Sequence, residues 1–400
     1  MTLVRLGTTA RFVNGAAFKP SDWEAEGLPI IRIQSLTGTG ANFNFTTRRV
    51  KPELIVEPGD LLVSWSATLD VYRWSGPRGV LNQHIFKVIP NKIVDTDYLY
   101  FALKNALAEL ESKTHGSTMK HVVRGDFEGT LVALPTMANQ KQIVDLLSRA
   151  EGIVRLRREA QKKAAEIIPA LFIDMFGDPA TNLKGWAETT LENIVDEFRY
   201  GTSQKSGEYG LPTLRIPNVV SDRLDPTEIK LVSVPDAEAN RLRLRNGDFL
   251  FVRTNGNPDY VGRSAVYESD VMQQAGFDGK NCLYASYLIR ARLKLEAINP
   301  QFLQTFLSSS EGRKRLREQA RTSAGQYNIN TEGLANIRVP LPPIKLQADF
   351  GSRCRPVFGL QALQESAISK AESTFQVLLS CAFSSHLATV SLPAVEAAVA

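Results

Sequence analysis

Cysteine is scarce in this chain. Three residues in 400, Cys282, Cys354 and Cys381, are an odd number, widely spaced and without any paired spacing, which excludes a disulfide framework and a thiolate metal site. They read as buried free thiols in a reducing compartment. The four histidines, His84, His115, His121 and His386, have no spacing suited to a metal ion. Long apolar runs are missing as well. The longest, Ile167 to Phe176, is broken by Pro169 and Asp174, well short of the roughly 18 apolar residues of a membrane span. The opening Met-Thr-Leu-Val-Arg-Leu-Gly lacks the apolar core of a signal peptide. The expectation is a cytoplasmic protein with no membrane partner. Neither a Gly-x-Ser-x-Gly elbow nor a phosphate loop occurs.

What the chain does contain is itself, twice. Residues 27–33 read Gly-Leu-Pro-Ile-Ile-Arg-Ile and residues 210–216 read Gly-Leu-Pro-Thr-Leu-Arg-Ile, an offset of 183. Pro135 and Pro342, Gln140 and Gln347, and Phe176 and Phe383 then repeat at a constant offset of 207. A constant offset over such a stretch means two copies of one long element, with insertions upstream of it. A tandem duplication of about half the chain can carry a pseudo-twofold axis within one polypeptide, and two similar but unequal sites suit an asymmetric, two-part target.

The periodicities divide the chain further. Residues 1–136 hold Leu28–Ile33, Asp60–Trp65 and His84–Ile89 as predicted strands and a helix from Asp97 to Leu110. Residues 137–178 read as one long helix, with Ile143, Leu146, Ala150, Ile153, Leu156, Ala160, Ala164, Ile167 and Leu171 forming a narrow apolar stripe. Gly177-Asp178-Pro179 ends it. Residues 179–342 repeat the first block, with strands at Leu211–Ile216, Asp248–Arg253 and Leu283–Arg292 and a helix from Gln301. Residues 343–386 repeat the long helix through Phe350, Val357, Leu360, Leu363, Ala367, Ala371, Thr374 and Leu378, with Pro356 expected to kink or divide it. Residues 387–400 form a frayed tail. The fold class expected is α+β: two β-rich α/β domains joined by two long antiparallel helices, which bury each other's stripe as a coiled coil, in a pseudo-twofold repeat.

No catalytic constellation emerges. Asn257-Pro258-Asp259-Tyr260 approaches the Asn-Pro-Pro-Tyr of adenine methyltransferases but lacks the second proline and a preceding glycine loop, and reads as a polar turn. The Glu-x-Lys triplets at Glu111–Lys113 and Glu228–Lys230 follow no credible nuclease strand. No catalytic, metal or cofactor-binding residue is therefore assigned.

The polar loops instead carry hydrogen-bonding and stacking groups. In the first block these are Arg48, Arg49, Lys51, Trp65, Ser66, Arg73, Arg78, Asn82 and Gln83, with Lys120 nearer its close. In the third block they are Gln204, Lys205, Tyr209, Arg253, Asn255, Asn257, Tyr260, Arg263, Lys280 and Asn281. Arginine can grip guanine, and Asn or Gln adenine, by paired bonds in the major groove, while cations hold phosphates. The basic excess, 47 against 42 acidic residues for a net charge of +5, agrees with a polyanionic partner. All twenty are candidate contacts to double-stranded DNA.

The arrangement resembles the specificity subunit of type I restriction-modification systems. Each globular block closes on a Gly/Ser-rich turn, an apolar run with proline and a long helix with an early Gln: Gly116-Ser117-Thr118-Met119-Lys120 to Pro135 and Gln140, then Ser323 to Asn330, Pro343 and Gln347. Gly59-Asp60-Leu61-Leu62 and Gly247-Asp248-Phe249-Leu250 are similar to the family's internal strand signature. The resemblance implies a non-catalytic subunit whose two target recognition domains each read one half of a bipartite site. It implies that the paired helices set the gap and carry two DNA adenine methyltransferase subunits, joined by a restriction translocase. S-adenosylmethionine, ATP and Mg would belong to those partners and none to this chain. A coiled-coil scaffold with two protein-binding domains remains the rival on the residues alone, and a self-sufficient nuclease or methyltransferase is disfavoured by the missing motifs.

Overall fold

The structure is a computed structural model, and it describes residues 2–39, 42–65, 68–113, 124–323 and 325–383. The chain divides into two units, residues 1–158 with 366–400, and residues 159–365. Each holds one β-rich body and part of both long helices.

In the first unit, strands β1 (Thr2–Arg5), β2 (Ala10–Asn14), β3 (Leu28–Ile31), β4 (Phe45–Thr46), β5 (Ile55–Val56), β6 (Leu61–Ser64), β7 (Asp70–Arg73), β8 (Gly79–Leu81), β9 (Ile85–Pro90) and β10 (Leu131–Leu134) follow in order. They build an antiparallel sheet β2-β9-β6-β7, a second sheet β4-β3-β8-β5 with β3 parallel to β8, and a separate pair β1-β10. The helix Thr96–Lys113 covers the first sheet, and Leu99, Phe101, Leu103 and Leu107 join Phe12, Leu61, Val63 and Phe86 in its core.

The second unit repeats this. Its strands are β11 (Glu188–Thr190), β12 (Val195–Tyr200), β13 (Ser206–Gly207), β14 (Leu211–Leu214), β15 (Lys230–Val232), β16 (Phe249–Val252), β17 (Thr254–Asn255), β18 (Ser264–Val266), β19 (Leu283–Tyr284), β20 (Leu288–Leu293), β21 (Arg321–Ser323), β22 (Gln326–Asn328) and β23 (Arg338–Pro340). The sheet β12-β20-β16-β18 matches β2-β9-β6-β7 strand for strand, and the parallel pair β14-β19 matches β3-β8. β11 pairs with β23 as β1 does with β10. Leu283–Arg292, expected as one strand, is two. Ala285 to Tyr287 turn the chain from one sheet into the other, and Leu288 N–H closes the turn on Ala285 O at 2.9 Å.

The repeat rests on identical local chemistry. Gly59 and Gly247 adopt φ of +95° and +85°, a left-handed conformation that glycine reaches without a Cβ penalty. The following aspartate closes the turn by accepting a backbone N–H three residues back, Glu57 to Asp60 at 2.7 Å and Arg245 to Asp248 at 2.8 Å. Each carboxylate also pairs with a cation of the adjacent strand, Lys87 at 2.6 Å and Arg292 at 2.8 Å. Gly15 and Gly201 mark a second equivalence, where the backbones approach so closely that an added Cβ would lie 2.0 Å from Asn82 O and 2.2 Å from Tyr284 O. Gly201→Ala is expected to lower stability by about 1–3 kcal/mol, the usual cost of forcing extra bulk into a packed site, as measured by urea denaturation of the full chain. An unchanged midpoint would show that this crossing is loose.

The long helices run Met137–Phe176 and Ile344–Phe383, 40 residues each. They pair antiparallel: in the first unit Leu147 and Val154 share a core with Phe375, Leu378 and Phe383, and in the second Ile168, Phe172 and Phe176 share one with Phe350 and Cys354. Rings of Phe172, Phe176, Phe302 and Phe350 meet at centroid distances of 4.7 to 5.6 Å, fastening both helices to the helix Pro300–Ser308. Gly177 ends the first helix at φ +82°, and Lys184 Nζ donates to the terminal carbonyls of Asp174 and Met175 at 2.9 and 2.8 Å.

Two expectations about these helices are corrected. Ile153, Leu156, Ile167, Leu360 and Leu363 are exposed. The other apolar members of the expected stripes, Ile143, Leu146, Ala150, Ala160, Ala164 and Leu171 and Phe350, Val357, Ala367, Ala371 and Leu378, are buried or half-buried. The seam adds a seven-residue repeat through Leu147, Val154, Gln161 and Ile168, and through Cys354, Gln361, Ile368 and Phe375, the period of a left-handed supercoil. Gln361 Nε2 donates to Ala164 O at 3.0 Å, so a polar residue in the seam is satisfied across it. Pro356 does not divide the second helix, which is continuous from Ile344 to Phe383. Buried Phe350 and Cys354 and half-buried Val357 and Phe358 hold both sides of the proline against the second unit's core, and that packing offsets the lost hydrogen bond. The expected tail, residues 387–400, lies outside the described residues.

Candidate nucleic-acid interface

The strand ends following β6 and β16 are equivalent. Trp65 N–H donates to His84 O at 3.4 Å and Arg253 N–H to Tyr287 O at 2.9 Å, so Trp65 and His84 of one unit occupy the positions of Arg253 and Tyr287 in the other. The framework is shared and the side chains are different. The Trp65 indole stacks on Phe86 at 5.8 Å and leans on His84 at 5.7 Å. Gln83 Oε1 and His84 Nδ1 are buried there with no hydrogen-bond partner among the described residues. At the second strand end the Arg253 guanidinium lies 4.8 Å over the Tyr200 ring, while Tyr287 is 57% exposed.

Several candidates gather at these ends. Asn82 is buried where Ala16 bridges to it, and Arg48 donates to Ala17 O at 3.0 Å nearby, with exposed Arg49 and Lys51 on the same loop. Exposed Gln204, Lys205 and Tyr209 follow Thr202, whose carbonyl accepts from Ser286 N–H at 2.7 Å, beside Tyr287. Asn255, Asn257, Tyr260 and Arg263 belong to the loop after β16. Asn255 Oδ1 accepts from Asn257 N–H and Asn257 Oδ1 from Asp259 N–H, both at 2.9 Å, consecutive side-chain turns that pre-shape the loop.

Other candidates are engaged elsewhere. Arg73 donates to Asp97 at 3.0 Å and reaches Glu151 at 3.5 Å, with its guanidinium 3.7 Å over Tyr100, so it ties β7 to two helices. Arg263 donates to Asp259 O and Val220 O at 3.0 and 3.1 Å and closes the loop on itself. Arg78 pairs with Glu57 at 3.2 Å, in the turn before β6 and thus at the far end of that strand from Trp65. Asn281 donates to Asp278 at 2.5 Å, and Lys280 follows Gly279, which abuts Ser269 O, again on the side of the turn before β16. Ser66 and Lys120 lie outside the described residues.

Unit two adds charged groups that sequence reading passed over. Arg313 donates to Asp259 O and Val261 O at 3.0 and 2.9 Å, and Arg317 pairs with Asp259 at 3.2 Å. Burial pushes the Asp222 carboxyl above its ordinary range, against the pull of Arg263 and Arg313. Arg290, fully buried, is internal and bonds Glu197 and the Arg241 carbonyl. Hydrogen bonding from Arg199 helps hold the Glu197 carboxyl below its ordinary range. Among the described residues no group of three or more His, Cys, Asp or Glu could hold a metal ion.

The family model of the type I restriction modification DNA specificity domain matches residues 2–166. The chain is 26% identical to the type I restriction enzyme EcoKI specificity subunit of Escherichia coli strain K12, over 96% of this chain and 88% of that one. It is also 26% identical to the MjaVIII specificity subunit of Methanocaldococcus jannaschii, over 94% and 91% of the two. Residues 2–166 thus match the DNA specificity domain, and nearly the whole chain is similar to type I restriction-modification specificity subunits. Its fold is theirs too: the S subunit from M. genitalium superposes with a TM-score of 0.55 at 13% identity, covering 96% of each chain. A chain described under the complex assembly and conformational transition of the type I R-M system superposes with a TM-score of 0.52 at 18% identity, covering 95% of this chain and 97% of that one. The matched segment ends at residue 166, yet β12, β20 and β16 repeat the pairing of β2, β9 and β6, so the second unit carries the same domain fold. Among the described residues no helix is long and apolar enough to cross a membrane.

Proposed function

We propose that this subunit selects the DNA sequence for a type I restriction-modification complex by reading a bipartite, asymmetric site, one half with each β-rich body. The observation that carries this reading is the pair of equivalent strand ends furnished with different side chains, Trp65 and His84 against Arg253 and Tyr287. Equivalent frames position two readers alike, and unlike side chains give them unlike base preferences. The subunit is non-catalytic, acts in the cytoplasm, and leaves adenine methylation with S-adenosylmethionine, and ATP- and Mg-dependent translocation and cleavage, to its partners. Two methyltransferase subunits dock on the long helices. Ile153, Leu156, Leu363 and Val377, between 53% and 70% exposed on those helices, supply the apolar surface such docking buries.

Titration of a labelled random-sequence duplex with the full chain tests the DNA reading. Binding is expected to weaken linearly in log–log form with salt, with a slope near −0.9 per phosphate contacted. The absence of duplex binding at low salt would remove the proposal and favour a scaffold that binds proteins.

A further inference from the structure

Ser323 to Asn330 reads in sequence as a junction turn, but Arg321–Asn328 is a hairpin. Strands β21 and β22 pair in the register Arg321↔Asn328, Thr322↔Tyr327 and Ser323↔Gln326, and Gly325 takes φ +75° in the turn. β22 also pairs with β17, Thr254↔Asn328 and Asn255↔Tyr327, so the hairpin extends the strand end at Arg253. Its root is fixed there: Ile329 N–H donates to Arg253 O at 2.9 Å and Thr331 N–H to the Tyr200 hydroxyl at 3.3 Å.

Because strand side chains alternate between faces, the register sorts this small sheet. One face carries the row Thr322, Tyr327 and Asn255, and Tyr327 packs against the core of the second unit. The opposite face carries Arg321, Gln326, Asn328 and Thr254, and it therefore points away from that core. Arg321 and Gln326 are exposed, Asn328 is half-buried with its Nδ2 donating to Gln326 O at 3.4 Å, and Thr322 at the edge of the other row is exposed as well. Thr254 Oγ1 donates to Gln326 Oε1 at 3.0 Å, which orients the amide while leaving its NH2 group and a second oxygen lone pair for a ligand.

Resting on the DNA reading above, we propose that the Arg321–Asn328 ribbon enters the major groove and that Arg321, Gln326 and Asn328 read adjacent bases of the half-site assigned to the second unit. Two strands about 4.8 Å apart fit a groove about 12 Å wide. The three side chains are the types that bind guanine and adenine edges by paired hydrogen bonds. Arg253, whose carbonyl holds the ribbon's root, adds beside it a positive charge suited to phosphates. Asn255, by contrast, belongs to the row of Tyr327 on the inward face.

The test uses the full chain and a randomised duplex library, with sequencing of the bound fraction. Gln326→Ala and Arg321→Ala are each expected to reduce discrimination roughly ten- to hundredfold at one or two neighbouring positions of one half-site, leaving the other half unchanged. Thr322→Ala, in the row of Tyr327 on the face opposite Arg321 and Gln326, keeps the parental preference. If the parental chain selects a sequence and both ribbon variants select it equally well, or lose affinity uniformly over all sequences, the ribbon is not the reader and the DNA proposal stands without it. If the parental chain selects no sequence, both proposals fall. Circular dichroism matching the parental chain shows that the variants are folded.

Discussion

Replacing residues 2–134 with the same segment of a related subunit is expected to change one half of the recognised DNA sequence entirely and leave the other half and the spacing as they were. The boundaries follow from the strand pairing. β1 and β10 are mutual partners, Thr2 opposite Leu134 and Arg5 opposite Leu131, so both move together and no ladder is cut. What must be kept is the seat on the first long helix. Gln140 Oε1 accepts from Asp95 N–H at 2.7 Å, Tyr100 Oη donates to Glu151 at 2.6 Å, and Arg73 reaches the same carboxylate. A donor segment with residues matching Asp95, Tyr100, Arg73 and Lys104 should seat without strain, whereas one lacking both cations leaves Glu151 short of a counter-charge. The readout is a methylation map of cells that express the chimera with its methyltransferase. A changed spacing, or changes in both halves, would show that the two bodies do not read independently.

Much of this fold is legible in the sequence because it is carried by local chemistry. The Gly-Asp pairs at 59–60 and 247–248 announce a left-handed turn closed by a carboxylate, and the turn is there twice. Gln140 and Gln347 announce two equal helix starts. The failures share a different cause, since each depends on what a residue meets across space. Each long helix offers two apolar stripes, and only the partner decides that Val154 and Ile168 are buried while Leu156 and Ile167 are not. Pro356 reads as a break until the aromatic and aliphatic packing around it is seen. Arginine sorts no better. Arg73 and Arg263 look like Arg253 in sequence, but nearby carboxylates and carbonyls engage the first two in loop closure and helix docking. The ribbon was missed because Arg321 to Asn328 has no apolar alternation to mark strands. Its pairing is supplied by β17, more than sixty residues earlier in the chain.

Gln347→Ala is expected to destabilise the second unit by about 3 kcal/mol and to leave the first nearly untouched. The side chain is fully buried. Its Oε1 accepts from Asn299 N–H at 2.9 Å and its Nε2 donates to Pro342 O at 2.7 Å. Asn299 is in turn the cap of the helix Pro300–Ser308, its Oδ1 accepting from Gln301 and Phe302 N–H groups. One glutamine therefore joins the start of the second long helix to the start of the helix against which it packs. Gln140 repeats the arrangement with Asp95 and Pro135, and Asp95 accepts from Asp97 and Tyr98 N–H groups in the same way. Removing the amide strands a buried N–H and a buried carbonyl, at about 1–3 kcal/mol each. Gln347→Met separates this loss from cavity formation, because it keeps the volume and removes only the hydrogen bonds. It is expected to retain most of the effect. Hydrogen exchange by mass spectrometry reads the result: peptides over Pro300–Ser308 should exchange about a hundredfold faster in Gln347→Ala while Thr96–Lys113 keeps its protection, and Gln140→Ala should show the converse. Equal loss in both helices would mean that the two units open as one. Unchanged protection would mean that the glutamines do not secure the helix starts, and that the aromatic cluster of Phe172, Phe176, Phe302 and Phe350 holds the second junction alone.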